Sequence, residues 1–336
     1  MGQSPGDDER ERSRGGEFSA CVAPWPGPPR HRLRATLRPM GDHRLFPRPP
    51  GADGAMKLGE LTLTLVADGE FRLDGGAMFG VVPKVLWQRH KPADERNRIR
   101  MTTNCLLVER GDDLLLIETG VGDKGDAKFR DVFGLAEGAT RLPEAIAAAG
   151  YAPGDVSHVL LTHLHFDHCG WSTIDDGTGR LVPAFPRARY WIQRGELAHA
   201  EAPNARDRPS YDPRNWRPLL DAGVVELFGD EGEPIPGVRA IRTPGHNADM
   251  CIVKLDGGGD DVAVFWADLV PTRAHVPVPW TMGFDLYPLE TMANKEKWLP
   301  RAAAGGWLSI FVHETDHPIG RLVEDRPGRF RAVPLE

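Results

Sequence analysis

A histidine-rich run directly after a short apolar strand constrains this chain more than any other feature. The strand is predicted at Val159–Leu161, and the run that follows reads Thr-His-Leu-His-Phe-Asp-His-Cys-Gly. Within six positions it holds four side chains with metal-binding donors, namely His163, His165, Asp167 and His168. Alternate side chains of an extended backbone share a side, so His163, His165 and Asp167 are expected to converge, with the remaining histidine opposite. Because binding residues collect on loops held by rigid elements, we favour a metal site over a solvated surface loop.

Three further candidate ligands lie at the ends of predicted strands downstream. They are His246 in Thr-Pro-Gly-His, Asp268 after an apolar strand, and His313 at the end of another. A buried carboxylate such as Asp268 is costly unless it is paired or metal-bound. His317 competes with His313, and we favour His313 because it directly terminates its strand. Imidazoles and carboxylates together suit zinc, manganese or iron, so the sequence predicts a divalent metal centre.

The rest of the pattern indicates many strands with a few helices between them. Strands are predicted at 61–66, 104–108, 114–117, 189–192, 238–241, 250–255, 262–266 and 308–312. Helices are predicted at 142–149 and 289–299, with Pro300 ending the second. Strict alternation of strand and helix is missing, which favours mixed sheets covered by helices in a layered α/β sandwich.

Residues 1–55 differ in composition from everything after them. Nearly a third of this stretch is Pro and Gly, and arginines alternate with acids without an apolar period. Such a segment buries too little surface to offset its ordering entropy. We therefore predict a disordered extension over 1–55 and one folded domain over 56–336, with Met56 as an alternative start.

Composition excludes several classes of function. The net charge of -7 gives no basic footprint for nucleic acid. The apolar runs are too short to cross a bilayer, and the charged N-terminus is unlike a signal peptide. The four cysteines lie far apart, without a C-x-x-C, which is typical of reduced thiols. We expect a cytoplasmic protein that acts on a small molecule, with neither nucleic acid nor membrane as partner. The oligomeric state stays open, a homodimer included.

The order of the candidate ligands resembles that of the metallo-β-lactamase superfamily of hydrolases, which runs H-x-H-x-D-H, then His, Asp and His. The stretches THLHFDHCG, TPGH, ADLVPTRAH and MGFDLYPLET look like the quorum-quenching N-acyl-homoserine-lactone lactonase branch. The resemblance covers residues 57–333. It implies an αββα sandwich of two mixed sheets flanked by helices, with the metals at one edge between the sheets.

The resemblance also implies how the ligands divide. His163, His165 and His246 would hold one metal, Asp167, His168 and His313 the other, and Asp268 both. Two divalent ions are implied, zinc first, with manganese, iron or cobalt as alternatives. A water shared by ions roughly 3.5–4 Å apart ionises near neutral pH and attacks the carbonyl of a lactone or related ester. Asp167 or Asp268 would pass the proton to the leaving alkoxide, which makes them the predicted catalytic residues.

Several alternatives stay open. The same fold could act on aryl or phosphotriesters, thioesters or β-lactams, or belong to a mononuclear iron persulfide dioxygenase. A metal held for structure alone is another alternative. Glu118 stands where the superfamily usually has Asp, and Pro271 where lactonases of the well-known type have tyrosine. Both departures bear on the narrower assignment.

Candidate substrate contacts are Met78, Phe79, His275 and Tyr287. Met78 and Phe79 lie in the glycine-bounded segment 75–80, which is either a mobile apolar lid or a plain connecting loop. His275 is a candidate to face the substrate. Tyr287 is a candidate to replace the tyrosine missing at Pro271.

Overall fold

Two sheets and a small hairpin contain the strands. The computed structural model describes residues 55–136 and 138–335. In this part of the chain the strands are β1 Ala55–Leu58, β2 Leu61–Asp74, β3 Arg98–Arg110, β4 Asp113–Ile117, β5 His158–Leu160, β6 Thr173–Asp175, β7 Leu181–Pro183, β8 Arg189–Gln193, β9 Val225–Phe228, β10 Glu231–Ile235, β11 Val238–Arg242, β12 Cys251–Asp256, β13 Val262–Phe265, β14 Leu308–Ile310, β15 Ile319–Arg326 and β16 Arg329–Pro334. Apart from Ala55, where β1 begins, the predicted disordered extension lies outside the described residues.

Each large sheet is mixed, as predicted. The first has the order β1-β2-β3-β4-β5-β8-β9, antiparallel as far as β4 and parallel from there on. The second has the order β10-β11-β12-β13-β14-β15-β16, in which β13 and β14 form the parallel pair. Strands β6 and β7 form the separate hairpin.

Side-chain alternation explains how the layers stack. In β4, Leu115 and Ile117 join a core that also contains side chains of the second sheet. Leu114 and Leu116 point the other way, into a cluster with residues of the helices outside the first sheet. A strand that is covered on both faces reads as continuously apolar, because successive side chains face opposite sides and both sides are dry.

Helices cover the outer faces of the two sheets. Among the described residues they are α1 Gly75–Phe79, α2 Lys84–Trp87, α3 Ala127–Phe133, α4 Leu142–Ala148, α5 Phe166–Cys169, α6 Arg194–Glu201, α7 Arg217–Asp221 and α8 Pro288–Ala304. Side chains of α4, α6 and α7 join the cluster outside the first sheet, and α8 packs against the second. The architecture is the αββα sandwich. In the described part of the chain, no helix combines the length and the apolar character needed to span a membrane.

The prediction that Pro300 ends the last helix is wrong. Helix α8 continues through Pro300 to Ala304. Proline removes one backbone donor and crowds the carbonyl four residues earlier. Leu299 and Ala302 on either side of it are fully buried in the core. Burial of these side chains therefore outweighs the local cost of the proline.

The directions of the strands bring the candidate ligands to one edge. Strands β4 and β5 are parallel, so their carboxyl ends lie side by side. In the second sheet β13 and β14 are parallel, and β11 has the same direction because both β11 and β13 pair antiparallel to β12. The segments after β5, β11, β13 and β14 carry all the candidate ligands. The edge between the sheets is therefore where these side chains meet.

Candidate metal centre

Seven predicted ligands converge at this edge: six form two groups of three, and Asp268 lies between the groups. The first group is His163, His165 and His246. The Nδ1 atom of His165 lies 3.1 Å from Nε2 of His163 and 3.0 Å from Nε2 of His246. All three side chains are buried, so their nitrogens face one small space.

The second group is Asp167, His168 and His313. The Nε2 atom of His313 lies 3.6 Å from Oδ2 of Asp167, and Nε2 of His168 lies 3.8 Å from Oδ1 of the same residue. Both groups combine side chains that follow a strand of the first sheet with one that follows a strand of the second. Ions bound here would therefore connect the two sheets.

Asp268 lies between the groups. Its Oδ2 atom is 3.3 Å from Nε2 of His246 in the first group, and its Oδ1 atom is 3.1 Å from Nε2 of His313 in the second. It also completes an overlapping set of donors with His163 and His168. Its backbone neighbour Ala267 has φ 47°, a conformation that is unfavourable for a residue with a Cβ and typical of functional sites.

The histidine-rich run is extended only in its first half. Residues Phe166–Cys169 form the helical turn α5. The expectation from extended backbone, that Asp167 shares a side with His163 and His165, is therefore wrong. A helical turn places neighbouring residues about 100° apart rather than on opposite sides. Asp167 and His168 consequently contribute to the same group.

Glu118 is one methylene longer than the Asp that the superfamily usually has here, yet its carboxylate still reaches a candidate ligand histidine. Its Oε2 atom lies 3.1 Å from Nδ1 of His168, and its Oε1 atom accepts a hydrogen bond of 3.0 Å from the backbone N–H of Thr162. The residue is fully buried with φ 67°. A carboxylate on the far ring nitrogen fixes the tautomer and orientation of a metal-binding histidine.

Partners of two other histidines come from residues that the sequence did not single out. The Nδ1 atom of His246 lies 3.1 Å from Oδ1 of Asp285, whose other oxygen accepts a hydrogen bond from the Thr291 hydroxyl. The Nδ1 atom of His313 donates to the carbonyl of Thr102 at 2.9 Å. Asp285 lies inside the MGFDLYPLET stretch that carried the resemblance, and this was the available signal.

Burial sets the protonation of the centre. It lowers the pKa of His163 and His165 well below the usual range, and neighbouring imidazoles lower both further. Burial opposes charge on Asp268 too, but the imidazoles of His168 and His313 outweigh it and hold its pKa well below the usual range. Asp268 in turn raises the pKa of His168 and of His246 against the effect of burial, so a metal ion that binds these two imidazoles would displace their protons.

The donor set fits divalent metal ions. Nε2 of His168 and Oδ1 of Asp268 are buried, and among the described residues neither makes a hydrogen bond of normal geometry, although Nε2 of His313 lies 3.1 Å from that oxygen. Buried polar atoms are nearly always satisfied, so two atoms without such a bond at one point fit a site that binds a cation. Five imidazoles and two carboxylates are suitable donors for zinc, manganese or iron.

Asp68 supports the loop that contains Val121, and the sequence argument did not single it out. Its carboxylate accepts hydrogen bonds from the backbone of Val121 and Leu142 and from the indole of Trp171. Burial nevertheless raises the pKa of Asp68 to about 6. Gly170, directly after α5, contacts the same loop. A Cβ on Gly170 would lie 2.0 Å from the backbone of Val121, so only glycine fits there.

The candidate substrate residues occupy different environments. Met78 and Phe79 are buried in α1, with the Phe79 ring stacked on His275 at 4.5 Å between centroids. Both ring nitrogens of His275 are bonded, one to the Thr272 hydroxyl and one to the carbonyl of Met78, each at 2.8 Å. Segment 75–80 is thus packed, which argues against a mobile lid.

The structure also locates three other residues that the sequence argument named, Tyr287, Pro271 and His317. Tyr287 is exposed and precedes α8. The backbone carbonyl of Pro271 accepts a hydrogen bond from the N–H of His313. His317 is exposed, and in the described part of the chain the metal-binding groups include His313 rather than His317. Substrate contact by Met78, Phe79, His275 or Tyr287 stays a prediction.

Comparison with known sequences supports the resemblance. Residues 98–304 match the metallo-beta-lactamase superfamily. A probable metallo-hydrolase of Mycobacterium tuberculosis is 31% identical over 184 residues, which are 48% of this chain and 54% of that relative. This chain therefore spans about half the length of that relative. An N-acyl homoserine lactonase of Bacillus cereus is 30% identical over 56% of this chain and 72% of its own.

Solved structures give the same fold. A probable metal-dependent hydrolase from Staphylococcus aureus superposes with a TM-score of 0.76 at 30% identity, covering 84% of this chain and 99% of its own. The dizinc quorum-quenching lactonase AidC, in complex with a product, superposes with a TM-score of 0.68 at 21% identity. That match covers 84% of this chain and 97% of AidC.

Proposed function

This chain belongs to the metallo-β-lactamase superfamily, and on that premise we propose that it is a metal-dependent hydrolase that opens a lactone or related ester at a centre of two divalent ions. His163, His165 and His246 would hold one ion, and Asp167, His168 and His313 the other. Asp268 would contact both. Zinc is the first candidate metal, with manganese, iron or cobalt as alternatives.

The observation that carries this proposal is the placement of Asp268. One carboxylate oxygen faces the first group at 3.3 Å from His246, and the other faces the second at 3.1 Å from His313. A mononuclear dioxygenase would need only one complete set of donors. The second complete set, which shares a carboxylate with the first, favours a dinuclear hydrolase.

When bound, two divalent ions supply hydroxide from water near neutral pH and polarise the substrate carbonyl. Opening the ring adds one water across the ester: the water oxygen bonds to the carbonyl carbon, the ring C–O bond breaks, and one proton of the water must reach the departing ring oxygen. Asp167 and Asp268 would carry that proton from the attacking water to the departing ring oxygen. Their carboxylate oxygens are the proposed sites that hold and return it.

A partly exposed aromatic surface beside the ligands supports a substrate with an apolar acyl group. Phe166 stands between His165 and Asp167 in the sequence, and its ring is only half-buried. Phe129 and Phe133 of α3 pack against it, with ring centroids 5.1 and 4.7 Å away. Such rings next to a polar centre suit a ligand with a hydrolysable head and an apolar tail.

Similarity to proteins named N-acyl homoserine lactonase supports the lactone among the possible esters. The test is a hydrolysis screen with metal analysis of the same sample. N-acyl homoserine lactones of short and long acyl chain, a phosphotriester, a thioester and a β-lactam would be compared. We expect two metal ions per chain, the highest kcat/KM for a lactone, and a preference for longer acyl chains.

Chelation should abolish turnover, and zinc, manganese or cobalt should restore it. A kcat/KM for the phosphotriester, thioester or β-lactam above that of every lactone would move the substrate to another ester or amide class. One tightly bound iron per chain would instead support the dioxygenase alternative.

A further inference from the structure

We propose that Tyr211 is a positioning residue for the first ligand group, an inference that rests on the proposed two-metal centre. Its hydroxyl connects the two chain segments that supply all three histidines of that group. Its ring also orients the histidine that lacks a polar partner on its outer nitrogen. Residues 203–216, which contain Tyr211, carry no motif that the sequence argument used.

On one side the Tyr211 hydroxyl reaches the His163–His165 segment through Glu196. The hydroxyl donates to Oε1 of Glu196 at 3.1 Å, and the same oxygen accepts a hydrogen bond of 2.8 Å from the backbone N–H of Leu164. Leu164 is the residue between the two candidate ligands. Glu196 is buried in the first turn of α6, so this acceptor is held in place by the helix.

On the other side the hydroxyl reaches the His246 segment through Asn247. The side-chain amide of Asn247 donates to the Tyr211 oxygen at 3.3 Å. The Asn247 carbonyl oxygen accepts from the backbone N–H groups of Asp249 and Met250, which fixes the turn after His246. One hydroxyl therefore connects the His163–His165 segment with the turn after His246. The distance between these two segments must be kept for the first group to bind an ion.

The Tyr211 ring acts on His165 directly. Its centroid is 4.7 Å from that of His165, at an interplanar angle of 70°. The backbones of the two residues also pair as an isolated antiparallel bridge. Of the five candidate ligand histidines, four have a polar partner on the outer ring nitrogen, whereas Nε2 of His165 is buried and has none among the described residues. Packing against Tyr211 takes the place of that hydrogen bond.

The test measures zinc affinity in two backgrounds that each keep one group. His313→Ala leaves the first group complete, and His246→Ala leaves the second. Tyr211→Phe, which removes only the hydroxyl, should weaken zinc binding about tenfold in the His313→Ala background, the lower end of the range for partners behind the ligands. Zinc binding in the His246→Ala background should not change. Tyr211→Ala, which also removes the ring, should weaken the first group further.

Tyr190→Phe is the matched control. Tyr190 is a buried tyrosine of the same cluster, and its hydroxyl bonds to the backbone of Phe185 and Ser172 without contacting either ligand group. It should lower the melting temperature of the metal-free protein without changing zinc affinity in either background.

Equal weakening in both backgrounds, no weakening in either, or the same loss with Tyr190→Phe would overturn the proposal. The metal content of the unmodified chain is measured alongside these variants. A single bound ion there would contradict the dinuclear centre, while the His313→Ala titration would still decide the role of Tyr211.

Discussion

His246 and His165 of the first ligand group are contacted by residues of irregular segments, whereas His168 and His313 of the second are bonded to residues inside or directly after strands. His246 is oriented by Asp285 in the irregular segment before α8, and His165 packs against Tyr211 in another irregular stretch. His313 instead donates to the carbonyl of Thr102 inside β3, and His168 is bonded to Glu118 directly after β4. Equivalent donors can thus be held by supports of different secondary structure, and changes to those supports should act on one group at a time.

The largest effect is expected at Asp268, the residue that the two groups share. Asp268→Asn removes the carboxylate charge facing both, so both ions should be held less firmly. Turnover should fall by at least roughly 100-fold, the usual loss when acid–base assistance is removed. Metal content after gel filtration and kcat would be measured together. Asp256→Asn, which changes a carboxylate at the end of β12 away from the ligands, is the control. Unchanged metal content and turnover in Asp268→Asn would make Asp268 a structural residue.

Single ligands of each group come next. His246→Ala and His313→Ala should each reduce the metal content from two ions to one, because each leaves one group complete. The metals can be counted by elemental analysis of the dialysed protein. Retention of two ions after His313→Ala would transfer that role to His317.

Substitution of the carboxylates that bond to the outer ring nitrogens of the histidines should weaken metal binding less, and each should affect one group only. Asp285→Asn should weaken only the first group and Glu118→Gln only the second, each by about 10–100-fold in affinity. Competition with a chromogenic chelator in the two single-group backgrounds measures both. If either substitution weakens the two groups equally, the supports are coupled and the contrast between loop and strand support fails.

The smallest effect on metal binding is expected at His275, which is buried but lies outside both groups. Burial lowers its pKa from 6.5 to about 3. The unfolded chain therefore takes up a proton below pH 6.5 that the folded protein refuses until about pH 3, so stability falls as the pH drops through this range. His275→Gln removes this contribution.

The free energy of unfolding of His275→Gln, minus that of the unmodified protein, should be larger at pH 5 than at pH 8 by about 2 kcal/mol, which means that the variant is relatively more stable at the lower pH. Urea unfolding in chelator at the two pH values measures this difference, and zinc content at neutral pH should be unchanged. A loss of bound zinc would instead place His275 in the metal centre.

The family, the fold class and the set of candidate ligands to examine could be predicted from the sequence. The patterns that predict them are local. Metal-binding side chains directly follow apolar strands, and the ends of such strands lie at one sheet edge regardless of the conformation of the connecting loops. The preference for His313 over His317 followed from the same rule.

Other features depended on contacts between segments that are distant in the chain. No periodic pattern marks the stretches that contain Asp285, Glu196 and Tyr211. Only their contacts in the folded chain show that they bond to or pack against the segments that carry the candidate ligands. The helical turn at Phe166–Cys169 changed which side Asp167 faces.

Burial decided the remaining differences. Helix α8 runs through Pro300 because the residues around it are buried, and segment 75–80 is packed because Phe79 is stacked on His275. Local sequence determines which side chains are available and the period of each element. Tertiary packing determines which local preferences are overridden, because the free energy of burying a side chain depends on neighbours that the local sequence does not specify.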